Sequence, residues 1–197
     1  MMLDDLRRLL VETARQAYAE GLFSGTSGNL SVCAGDAMLI TPTSVRYELL
    51  TPADVVTVKL DGGTAEGRHA PSSEWCMHAE IYKTRPDVRA IVHTHSPHAT
   101  AFAAANRPIP ACLIEMKFFL GGEVPCAPYA PPGTTELGLV CAEALGDRGG
   151  CLMANHGALA VGRDLPEALL RAEYLEDSAK IALLSMRLGG PVLLPDD

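Results

Sequence analysis

Val88-Arg89-Ala90-Ile91-Val92-His93-Thr94-His95-Ser96 is an apolar run that carries two histidines at a spacing of two. In a strand, residues i and i+2 point to the same face. Read this way, the run sets the His93 and His95 imidazoles side by side, close enough to share one ion. A single histidine in an apolar run is usually a satisfied core residue. Two at strand spacing, closing on the Ser96-Pro97 turn, read as metal ligands, with a buried or exposed polar pair as the alternative. The metal reading needs a third ligand from elsewhere in the chain.

The surrounding composition is that of an ordinary folded protein. The chain has 197 residues, 48% of them apolar and 20% charged, enough to bury a sizeable core as one domain over 1–197. A net charge of -8 argues against nucleic acid as the main partner, because binding a phosphate backbone needs a basic face. It leaves room for a small anionic substrate, since the field of a site is set locally. Cysteines at 33, 76, 112, 126, 141 and 151 form no CxxC pair. The N-terminus lacks a basic-then-apolar signal, and no apolar run approaches membrane-spanning length. These features read as a cytoplasmic protein with reduced thiols and no membrane association.

Before the histidine run, apolar residues recur at helical spacing from Asp4 to about Glu20, with Gly21 closing the segment. Ser24-Gly25-Thr26-Ser27-Gly28-Asn29 is a small polar loop that leads into Leu30–Cys33, a turn at Ala34-Gly35-Asp36, and Ala37–Thr41. That pattern predicts a β-hairpin. The loop either presents backbone N–H groups to a phosphate or simply connects helix to strand. Thr41-Pro42-Thr43-Ser44 is a second hydroxyl-rich turn, Thr51 caps a short turn, and Val55–Lys59 reads as a strand.

Pro71-Ser72-Ser73-Glu74 opens a helix through about Lys83, with Ser72 or Ser73 as N-cap and Glu74 at the positive end of the dipole. Arg85-Pro86-Asp87 breaks that helix just before the histidine run. The resulting helix-turn-strand hairpin can bring Glu74 and His95, its two outer ends, close together.

Beyond the run, His98 opens an Ala-rich helix and reads as a neighbouring or surface residue rather than a ligand. Val124–Tyr129 contains prolines that confine it to a sheet edge. Thr134 or Thr135 caps a helix to about Leu145. Gly150–Val161 reads as a buried strand interrupted by Asn155-His156-Gly157, where a bulge or bend turns the His156 ring inward as the third-ligand candidate. Asp164 caps a final helix to about Leu188. Three histidines with a nearby carboxylate match an open, catalytic metal site, and the scattered cysteines do not match a closed structural one.

Six motifs in order resemble the class II aldolase/adducin family: Gly25-Thr26-Ser27-Gly28-Asn29, Thr41-Pro42-Thr43-Ser44, Pro71-Ser72-Ser73-Glu74, His93-Thr94-His95-Ser96, Pro125-Cys126-Ala127-Pro128-Tyr129 and Asn155-His156-Gly157. The resemblance covers nearly the whole chain. It implies an α/β fold in αβα layers, with a central mostly antiparallel sheet flanked by helices on both sides. It implies that His93, His95 and His156 bind Zn2+, or another divalent ion such as Mn2+ or Co2+. Glu74 would be the catalytic acid/base, and a metal ligand before substrate arrives. Thr26, Gly28, Asn29, Thr43, Ser44, Ser72 and Ser73 would hold a substrate phosphate.

The implied reaction is reversible cleavage of a ketose 1-phosphate to dihydroxyacetone phosphate and an aldehyde. L-Fuculose 1-phosphate and a deoxy- or methylthio-pentulose 1-phosphate are the substrates that the resemblance suggests. Family aldolases are homotetramers with active sites between subunits. A tyrosine that serves them as proton donor would fall near Ile114, and Glu115 is the nearest polar residue to take its place across a subunit interface, with a packed or surface carboxylate as the alternative. The chain also ends at Pro195-Asp196-Asp197 without a tail tyrosine. Family epimerases usually carry Asp where this chain has Glu74, whereas a decarboxylase of a 3-oxo-tetronate phosphate would keep the metal site. A non-catalytic, adducin-like interaction module would have lost the histidines.

Overall fold

The structure is a computed structural model that describes residues 2–63 and 65–195. The Asp196-Asp197 end, where a tail tyrosine would be sought, lies outside the described residues. One sheet runs through the molecule, built from β1 (Asn29–Ala34), β2 (Ala37–Ile40), β3 (Val56–Lys59), β4 (Ala65–Glu66), β5 (Ala90–Thr94), β6 (Cys126–Ala127), β7 (Gly150–Met153) and β8 (Gly157–Gly162). Among the described residues its eight strands lie in the order β4-β3-β2-β1-β5-β8-β7-β6. Every pairing is antiparallel except β6 with β7.

Alternation along the strands sorts the apolar side chains into layers. Met38, Ile40, Ile91, Cys151, Met153, Leu159 and Val161 pack against α2 (Trp75–Thr84) and α4 (Thr135–Leu145). Leu30, Val32, Leu39, Ala90, Val92 and Ala160 face the other way, against α1 (Leu3–Ala19) and α5 (Leu165–Ser185). Leu152 and Ala158 share a third cluster with α3 (Pro97–Ala104), α5 and the turn at Met116–Leu120. The histidine-bearing strand β5 is buried along its whole length, because helices cover both of its faces. The helix-sheet-helix layers agree with the expected fold class. Among the described residues, no helix is long and apolar enough to cross a membrane.

Three local expectations are corrected. The 150–161 segment is not one bent strand but two strands joined by a reverse turn. Asn155 adopts φ 58° and the His156 N–H donates to the Met153 carbonyl at 3.0 Å, a left-handed position that asparagine tolerates. The cap position of α2 belongs to Glu74, whose side chain makes no capping bond. Ser72 Oγ accepts the Glu74 N–H at 3.3 Å just before the helix, and the Glu74 carboxylate is drawn elsewhere. Regular strand pairing in β5 also stops at Thr94, so His95 lies one residue beyond it.

Candidate active site and metal centre

The β1–β5 register sets Asn29 directly opposite His93. Both point to the α2 side of the sheet, and Glu74 sits at the head of α2 above them. Asn29 Nδ2 donates to Glu74 Oε2 at 2.9 Å. His93 Nε2 lies 3.0 Å from the same oxygen, and His156 Nε2 lies 3.2 Å from Oε1. His95 Nε2 approaches His93 Nε2 to 3.0 Å. Ligand atoms of His93, His95 and His156 all fall within 4.8 Å of one another. The helix-turn-strand hairpin thus brings Glu74 to the histidines.

Second contacts orient the rings. His93 Nδ1 lies 2.9 Å from the Ala158 carbonyl oxygen, to which it donates. That leaves the Nε2 lone pair facing the cluster, the arrangement found around metal-ligating histidines. Gly157 is required by close approach. A Cβ there would meet the Thr94 carbonyl and would stand 3.3 Å from both the His93 and His95 rings.

Electrostatics favour an ionised Glu74 and, at His95 and His156, neutral imidazole. Burial opposes the charge of Glu74, but His93, His156 and the Asn29 amide outweigh it and hold the carboxyl well below its usual range. Burial, reinforced by His93 and His156, pushes His95 down to about 4. Burial and then His93 also lower His156. Neutral imidazole is the form that binds a cation. Asn29 Oδ1, Glu74 Oε1 and His156 Nδ1 are buried without a hydrogen-bond partner, and folded proteins seldom leave such groups unused. The donor set fits a divalent ion with an open coordination position.

The cluster borders a cavity of about 240 Å³ whose walls include Thr26, Ser27, Gly28 and Asn29 from the first loop, Thr43 and Ser44 from the second, and Ser72, Ser73 and Glu74 from the third. Two backbone bonds tie the second and third loops together, Thr43 N–H to Ala70 at 3.1 Å and Ser72 N–H to Thr41 at 3.0 Å. Neither lysine nor arginine is among the described residues that line the cavity. Hydroxyls, backbone N–H groups and the positive end of α2 are the means left to it for holding an anion.

This constellation has counterparts. A profile of the family described as "Class II Aldolase and Adducin N-terminal domain" matches residues 8–183. The chain belongs to that family. It is 41% identical to the "L-fuculose phosphate aldolase" of Escherichia coli O6:H1 (strain CFT073), over 98% of this chain and 89% of that relative. It is equally 41% identical to the "5-methylthioribulose-1-phosphate/5-deoxyribulose-1-phosphate aldolase" of Rhodospirillum rubrum, over 98% of this chain and 86% of that one. A solved structure titled "L-fuculose 1-phosphate aldolase" superposes with a TM-score of 0.93 at 38% identity, covering 98% of this chain and 91% of the other.

Within this class II aldolase-family chain, two expected or neighbouring polar residues fall outside the cavity. Glu115 sits at the head of the Met116–Leu120 turn and is not among the lining residues. His98 Nδ1 meets Glu176 Oε1 at 2.6 Å and is not part of the ligand cluster. Ser27 and Pro132 line the cavity but were not singled out from the sequence. Ser27 could have been found from its place in the first loop, whereas nothing marked Pro132. The bond from Asn29 to Glu74 was also hidden, because it depends on strand register.

Proposed function

We propose that this protein is a metal-dependent class II aldolase that reversibly cleaves a ketose 1-phosphate to dihydroxyacetone phosphate and an aldehyde. One observation carries the reading: a three-histidine, one-carboxylate cluster borders the same small cavity as three hydroxyl-rich loops. His93, His95 and His156 hold the ion, Zn2+ in our reading, with Mn2+ or Co2+ as substitutes. Such an ion supplies Lewis-acid polarisation of the substrate carbonyl when bound. Thr26, Gly28, Asn29, Thr43, Ser44, Ser72 and Ser73 hold the phosphate and fix the substrate's register.

Glu74 is the acid/base. Its depressed pKa keeps it ionised near neutrality, so in the synthetic direction it removes the proton from C3 of dihydroxyacetone phosphate. In cleavage the C4 hydroxyl passes its proton to the Glu115 carboxylate, the C3–C4 electron pair moves toward the C2 carbonyl, and Glu74, having taken up a proton from solvent, delivers it to C3. Glu115 serves the aldehyde end from a neighbouring subunit of a homotetramer. Ile114 and Phe118, on either side of it, are 50% and 75% exposed, as a surface that meets another copy would be.

The names of the relatives suggest L-fuculose 1-phosphate and 5-deoxy- or 5-methylthio-pentulose 1-phosphates as substrates. A coupled assay for dihydroxyacetone phosphate over these ketose 1-phosphates tests the reading. Stoichiometric release from at least one is expected. Release of carbon dioxide from a 3-oxo-tetronate phosphate, with no cleavage of any ketose phosphate, would overturn it in favour of a decarboxylase.

A further inference from the structure

The chemistry above leaves unused a polar seam beneath Glu74. On β1, Asn29 and Ser31 share one face, and on α2, Glu74, His78 and Tyr82 share one stripe, as spacings of two and four require. The outer rung is the bond from Asn29 to Glu74. The inner rung joins Ser31 Oγ to His78 Nδ1 at 2.7 Å and to Tyr82 Oη at 2.7 Å. Ser31 and His78 are wholly buried and Tyr82 is 5% exposed, within a layer otherwise made of Met77, Ile81, Ile91 and Leu159. Burial pushes the His78 imidazole down to about 3, so the ring is neutral and carries one proton.

Counting donors settles where that proton sits. If Nδ1–H donates to Ser31, then Ser31 donates to Tyr82, and both the phenol proton and the second ring nitrogen are left unpaired. In the reverse direction Tyr82 donates to Ser31 and Ser31 donates to Nδ1. One group then remains, the Nε2–H, and Nε2 is indeed buried without a partner. The reverse direction strands fewer buried groups and is favoured for that reason. Helical side chains lean toward the N-terminus over the preceding turn, and the turn preceding His78 begins at Glu74. The charges of Glu74 and His93 both act on His78.

We propose that His78 is a positioning residue for Glu74: the Tyr82–Ser31 relay fixes the Nε2–H tautomer, and that N–H receives the carboxylate when it leaves the histidine cluster to work on substrate. The inference rests on Glu74 being the acid/base. Without it the carboxylate, once off the ion, would keep only the Asn29 amide as a partner, and proton transfer would slow while phosphate binding would not.

Two measurements test the proposal separately. Long-range 15N–1H correlation spectra of the zinc-loaded protein at neutral pH report the His78 tautomer without any turnover. Nε2–H is expected, and Nδ1–H would overturn the relay. In the aldolase assay, His78→Asn keeps an amide facing Ser31 but has nothing at the Nε2 position, whereas His78→Gln restores an N–H there. The Asn variant should lose roughly 30-fold in kcat with KM within about 2-fold and metal content unchanged, and the Gln variant should stay within about 3-fold of wild type. Equal losses in the two variants, or a change in KM alone, would contradict the positioning role. If the wild-type protein cleaves no ketose phosphate, the functional reading fails while the tautomer spectrum still decides the relay.

Discussion

His156 and Thr43 line one cavity, yet the two parts of the site are held in place by different means. The histidine part is over-determined. His93 is fixed by the β1–β5 register and by the Ala158 carbonyl, and His156 by a turn closed at Met153. The hydroxyl part consists of loop ends clasped by a few backbone bonds, with Gly28 at φ 85° and Ser44 at φ 59°. A metal ion demands fixed donors, whereas a phosphate accepts many hydrogen bonds from several directions. The contrast predicts that substitutions among the histidines and Glu74 act on chemistry and metal content, and substitutions among the loops act on substrate affinity.

Glu74→Gln should produce the largest effect short of removing a ligand. It keeps the size and the bond to Asn29 but cannot exchange the proton at C3. A fall in kcat of about 10²- to 10⁴-fold is expected, with metal content retained. A Glu74→Gln enzyme of wild-type kcat would break the division between the two parts.

Gly28→Ala attacks the joint between them. An added Cβ would lie 2.8 Å from the His93 carbonyl and 2.6 Å from the Phe23 ring, at a backbone conformation that disfavours L side chains. A destabilisation of about 2 kcal/mol is expected in denaturant unfolding, together with a raised KM. Loss of metal with KM unchanged would mean that the joint serves the histidines alone.

Ser73→Ala should be milder, raising KM for the phosphorylated substrate about 10-fold while kcat stays within a factor of about 2. A kcat effect without a KM effect would contradict the loop assignment.

The smallest effect is on stability of the metal-free protein. His95 lies at about 4 in the fold against an ordinary 6.5, so between these values the unfolded chain binds a proton that the folded chain refuses. Stability from this source is complete above pH 6.5 and is lost as pH falls through the window. Glu74, held below its ordinary 4.5, extends the loss at more acidic pH. The melting temperature of the metal-free protein should therefore decline as pH is lowered from 7 to 4. A flat or rising profile would contradict the electrostatic account.

Much of this was legible in the residues themselves. Strand and helix periods located α1, β1, β2, β5 and α5, and the Gly35-Asp36 turn set the first hairpin in register. The spacing of His93 and His95 located the cluster, and the ordered motifs located the rest of the cavity. What stayed hidden depends on pairing rather than pattern. Asn155-His156 read as a bend because periodicity cannot distinguish a buried strand with a kink from two buried strands. The two-residue strand β4 is too short to show an alternation. By spacing alone Glu74 read as a favourable charge at the head of α2, because its partners come from strands distant in sequence, and only the ordered motifs marked it as the acid/base. The stripe Glu74-His78-Tyr82 has helical spacing, and its inner polar members were the one available signal for the seam that links them to Ser31.

The central claim is that His93, His95 and His156 hold one catalytic divalent ion. Metal analysis of the purified protein, repeated on His156→Ala, addresses it most directly. The account predicts about one bound ion per wild-type chain, with ion and ketose 1-phosphate cleavage both lost on chelation, both restored by Zn2+ or Co2+, and neither retained in the variant. A wild-type protein that binds no divalent ion and is activated by none, or a His156→Ala protein with full metal content and full cleavage, would contradict it.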